Sequence, residues 1–179
     1  MSAPGRRRRL RSDGARAAAA ALATVPGMKK LYFAALSYMI LGLIAGLYYR
    51  ELTKEYDFTG DSQLSVVHTH LLTLGMLAFL LVLALEKLFA LTKTKQFNWF
   101  FWIYNAGLVV TVGMMVTHGS MTVVGNESGD AIAGIAGMGH VLLTIALVLL
   151  FVSLYQALFS NRVGTGKDDE PVPAAADRE

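Results

Sequence analysis

Four stretches of this chain contain no Asp, Glu, Lys or Arg: Leu31–Tyr49, Leu64–Leu85, Phe97–Asn126 and Ala131–Asn161. Each reaches or nears the ~20 residues that a helix needs to span a bilayer. The expected fold is therefore all-α, an integral membrane four-helix bundle. With 54% hydrophobic residues and a mean hydropathy of +0.47, the chain is too apolar for an ordinary soluble domain. The spans account for most of its length, and no segment between them is long enough to build a core of its own. One transmembrane domain is expected over residues 28–161, with helices at about 31–50, 64–88, 98–123 and 131–159.

The ends differ in composition. Residues 1–27 carry six of the sixteen basic residues in their first sixteen positions, followed by an Ala-rich patch too weak for a secretory signal. They read as a disordered basic extension ahead of a natural start at Met28. The tail 162–179 is polar and contains proline, and reads as disordered. Excess Lys and Arg mark cytoplasmic segments. Lys29 and Lys30 precede the first helix, and the second loop carries Lys87, Lys93 and Lys95 against Glu86 alone. The first and third loops are acidic or mixed. Both termini are thus expected in the cytoplasm, in a multi-pass protein of a bacterial plasma membrane. Its expected surroundings are the lipid bilayer and a respiratory or other redox membrane partner, with no nucleic acid; a net charge of +3 says little about the last.

Phe97, Trp99, Phe100, Phe101, Trp102 and Tyr104 cluster at the inner end of the third helix, where aromatic rings anchor a protein at the interface. Gly42 and Gly46 in the first helix form a GxxxG spacing that permits close helix approach. The fourth helix opens with Ala133, Gly134, Ala136, Gly137 and Gly139.

The ionisable side chains within the spans are the four histidines: His68, His70, His118 and His140. A titratable ring in hydrocarbon is expensive and marks a functional site. At ~1.5 Å per residue, His68 and His70 lie roughly 6–9 Å inside the outer surface, His118 about 7 Å and His140 about 13 Å. All fall in the outer half, and His70 and His140 come nearest to a shared depth. Residues two apart on a helix sit ~200° apart, so His68 and His70 point to opposite sides. Beside His140, the small residues Ala136 and Gly137 leave room for a flat macrocycle or for a neighbouring helix.

The chain has no cysteine, which excludes iron–sulfur clusters, thiolate metal sites and c-type haem attachment. A b-type haem needs two imidazoles on facing helices and an apolar slot, and four-helix bundles build such sites. His70 and His140 are the expected axial pair. Arg50, at the outer end of the first helix, either meets a haem propionate or anchors the interface. His118, on a stripe with Thr111 and Met114, is either a further ligand or donor or a wetted rim residue. The absence of acids and lysines from the charge-free stretches argues against a proton pump or an ion-coupled transporter.

Residues 28 to about 159 resemble a bacterial family of small four-helix membrane proteins of unknown function. The likeness is carried by MKKLYFAALSYMILGLIAGLYYRE, FTGDSQLSVVHTHLLTLGM and AGIAGMGHVLLT. The run HTHLLTLGM is also similar to a His-x-His-x4-Gly segment in haem-binding proteins related to the large subunits of haem–copper oxidases and nitric oxide reductases. That second resemblance covers one helix and implies haem ligation by His68 or His70. The expected function is a small haem b protein for electron transfer, haem handling or gas sensing. The alternatives are an accessory or assembly protein with structural histidines, and a copper or zinc site at the outer face using His68, His118 and acids of the first loop.

Overall fold

The computed structural model describes residues 26–126 and 130–159. These form helices α1 (Pro26–Glu55), α2 (residues 64–89), α3 (Lys95–Val124) and α4 (Asp130–Phe159), each long and apolar enough to cross a membrane. In hydrocarbon the backbone groups must pair within the chain, and helices do so by themselves. The extension and tail expected at 1–27 and 162–179 lie outside the described residues, apart from Pro26 and Gly27, which open α1. A first-turn proline suits a helix start, because its missing N–H would have no partner there.

Helix α1 runs past its charge-free stretch at both ends, and α3 runs past its own at the N-terminal end. A charged residue ends the hydrocarbon span but not the helix: Arg50, Glu51, Lys54 and Glu55 all belong to α1. The helix ends are closed by local chemistry. Asp57, with φ of 47°, turns the chain after α1. The Ser62 hydroxyl accepts from the Leu64 N–H at 3.2 Å and donates to the Gly119 carbonyl at 2.8 Å, tying the start of α2 to α3. Thr94 caps α3 by accepting from the Phe97 N–H. Gly125, with φ of 83°, ends α3 in a Schellman turn, with the Asn126 N–H on the Met121 carbonyl at 2.9 Å.

Packing follows chain order, α1 on α2, α2 on α3 and α3 on α4. One end of the bundle carries the first and third connections; the other carries the α2–α3 connection, closed by a 3-10 turn at Leu91–Lys93. Small residues set the approaches. Gly42 meets Leu71 and Leu72, as the GxxxG spacing suggests, and Gly46 sits against His68. Gly119 lies against the backbone of Leu64, and Gly139 against Gly107 and Thr111. Gly134 and Gly137 meet nothing within 4 Å, so only part of the small-residue run of α4 serves packing. At the α2–α3 end the aromatic residues divide. Phe97, Phe100, Phe101 and Tyr104 are core, while Trp99 and Trp102 are exposed and suit the expected interfacial belt. Tyr38 stacks on Phe79 with 2° between the ring planes.

Two features were not read from the sequence. Residues Leu71–Leu77 of α2 are π-helical, with the Ala78 N–H reaching the Thr73 carbonyl five residues back. Glu86, counted with the second-loop charges though inside the expected helix 64–88, is buried in the last turns of α2 and 3% exposed. Its carboxylate accepts from the Thr92 N–H at 2.7 Å and the Thr92 hydroxyl at 2.5 Å. This closes the α2–α3 connection, with Gly27 of α1 packed on Thr92.

Candidate functional site

The histidines fall into different surroundings. His68 lies alongside α1: a Cβ on Gly46 would stand 3.7 Å from the His68 Cβ. Its Nδ1 is shut from solvent and has no hydrogen-bond partner, and its Nε2 is 3.4 Å from the Thr69 hydroxyl. His70 is half-buried, and its Nδ1 lies 2.9 Å from the Val66 carbonyl. A carbonyl only accepts, so Nδ1 carries the proton and Nε2 keeps its lone pair. Metal-binding histidines are commonly oriented in this way. The pair therefore separates as helical phase requires, with His68 toward α1 and His70 turned away from it.

His140 is exposed on α4, next to the buried Gly139. His118 is half-buried on α3, with its Nδ1 enclosed and unpartnered. Arg50 is exposed and 3.8 Å from Glu51, as an interfacial anchor would be. No group of three His, Asp or Glu among the described residues converges as a metal site, so His68, His118 and the first-loop acids are not assembled into one.

Depth can be read from the packing. Antiparallel α2 and α3 meet where Leu64 abuts Gly119, and again where the Tyr104 hydroxyl donates to the Leu74 carbonyl at 2.8 Å. Between those points His70 lies within about one helical turn of Thr111 along the bundle axis. Thr111 also meets Gly139 of α4, so His70 and His140 are within about a turn of each other in depth. There the Leu64–Leu77 half of α2 packs chiefly on α1 and α3, whereas α2 meets α4 through its other half, Ala78–Phe89.

Thr111 adds a polar group that the sequence reading had noted only as a stripe neighbour of His118. It is 0% exposed, and its hydroxyl oxygen has no conventional partner. It faces the Gly139 backbone, where a Cα–H···O contact is the available compensation.

A profile of known relatives matches residues 28–157, nearly all of the helical domain. The chain belongs to the DUF2871 family. That family is described as proteins of unknown function, so membership fixes kinship and leaves the chemistry to the residues. Its span begins at Met28 and covers all four helices. No curated protein and no solved structure matches the chain, and the likeness of HTHLLTLGM to haem-binding oxidase relatives gains no support from these comparisons.

Proposed function

We propose that this DUF2871 protein is a small b-type haem protein, with His70 and His140 as axial ligands, serving electron transfer, haem handling or gas sensing. The observation that carries the reading is the His70 ring. Its Nδ1–H is held by the Val66 carbonyl, which leaves Nε2 as a ready ligand atom. The similar depth of His70 and His140 supports the pairing. His140 is exposed on a helix long and apolar enough to span the membrane.

In this reading both termini and the α2–α3 connection face the cytoplasm, and the histidines lie in the outer half of a bacterial plasma membrane. Lys29, Lys30, Lys87, Lys93 and Lys95 all belong to the cytoplasmic side. Haem, when bound, would supply a one-electron couple, and His70 and His140 would hold it.

The test is a reduced-minus-oxidised spectrum of the full chain, purified in detergent after expression with added haem precursor. A sharp Soret band and a split α band are expected. A featureless spectrum after haem supplementation would sink the proposal.

A further inference from the structure

The α2–α3 connection and the exposed face of α4 share a feature that the haem reading does not use. A cavity of about 400 Å³ at the corner is lined by Phe89, Lys93, Lys95, Gln96, Gln156 and neighbouring backbone. An apolar groove of about 710 Å³ runs along α4, past Leu147, Val148, Phe151 and Tyr155. Gln156 lines both, so the polar cavity and the apolar groove adjoin.

Among the described residues, charge at this corner is one-sided. Its acid, Glu86, is buried and engaged by Thr92. Lys87, Lys93 and Lys95 are exposed, and none has an acidic partner among the described residues. Lys30 of α1 is already occupied, 3.3 Å from the Asn98 side chain and 4.6 Å from the Phe101 ring centroid. Lys93 and Lys95 therefore line a cavity that adjoins a groove suited to hydrocarbon.

We propose that this corner binds an anionic phospholipid, with its phosphate at Lys93 and Lys95 and one acyl chain along Leu147, Val148 and Phe151 of α4. Charge complementarity selects the headgroup. Adjacency at Gln156 favours a molecule that joins charge to hydrocarbon, which a free phosphate does not. Gln96 and Gln156 offer amide donors and acceptors to the glycerol and ester oxygens. The proposal is independent of haem, since the corner lies at the opposite end of the bundle from the histidines.

Native mass spectrometry of the full chain tests this, in detergent with equal amounts of phosphatidylglycerol and phosphatidylcholine. Each lysine near an anionic headgroup contributes several-fold, so a preference of roughly 30-fold for phosphatidylglycerol is expected. The double variant Lys93→Gln/Lys95→Gln should bring the ratio close to one, while Lys54→Gln, at the other end of the bundle, should leave it unchanged. Phe151→Asn should weaken retention of both lipids. Because Lys93 and Lys95 are exposed, an unchanged helical circular dichroism spectrum confirms that the double variant folds. Equal retention of the two lipids overturns the proposal, as does a preference that survives the double variant. Displacement of phosphatidylglycerol by millimolar inorganic phosphate also overturns it, in favour of a simple anion site.

Discussion

His70→Ala and His140→Ala are each expected to abolish the spectrum of six-coordinate low-spin haem, leaving a five-coordinate or haem-free protein. His68→Ala and His118→Ala should leave that spectrum largely intact. The distinction rests on ring environment. His70 has its Nδ1 held by Val66, so its Nε2 is presented in a fixed orientation. His68 packs against Gly46 of α1 and has an enclosed Nδ1, so it is turned toward a helix neighbour. Optical and electron paramagnetic resonance spectra of the four variants, with haem stoichiometry by pyridine haemochrome, read the outcome directly. If His68→Ala removes the haem and His70→Ala does not, the ligand assignment is wrong although the haem reading stands. If no single histidine matters, the rings are structural and the accessory-protein alternative takes over.

The second large effect concerns glycines. Gly119→Ala and Gly139→Ala should each destabilise the bundle by about 1–3 kcal/mol or more, the usual cost of overpacking where neighbours cannot yield. At Gly119 a methyl would meet the backbone N and Cα of Leu64, and at Gly139 the backbone of Thr111 and Gly107. Main-chain atoms in two packed helices cannot step aside as a side-chain tip can. Gly134→Ala and Gly137→Ala meet open space and should stay within about 0.5 kcal/mol of the parent. Unfolding in mixed micelles with increasing SDS would rank the four. Equal effects at Gly139 and Gly137 would refute the sorting.

These glycines show how far the sequence could be read. The four spans were plain, because charge stops where hydrocarbon begins, and each proposed helix is found. Their ends were drawn short, because Arg50 to Glu55 stay helical beyond the apolar stretch and hydropathy cannot see that. The run from Ala133 to Gly139 read as one small-residue surface. Which glycine touches another helix depends on phase against a partner, and that is fixed only by tertiary packing. Glu86 shows the opposite failure. A charge at a span boundary reads as loop, yet this one is taken into the fold by Thr92, six residues on, through two short hydrogen bonds. Within the candidate site, the split between His68 and His70 was legible from a two-residue spacing. Which of them would meet α1 was not, because that depends on where Gly46 falls.

The wide turn at Leu71–Leu77 bears on how α2 tolerates change in length. A π-helical turn amounts to one residue inserted into an α-helix. Removing a single residue between Leu72 and Leu77 would let the segment tighten into plain α-helix, with His70 above and Phe79 below keeping their faces. The same deletion between Ala78 and Leu85 has no slack to absorb it, and would swing the histidine end by ~100° against the end that carries Glu86. The helix thus has one place where the chain can be shortened without turning its two halves against each other, and that place lies directly below the histidines.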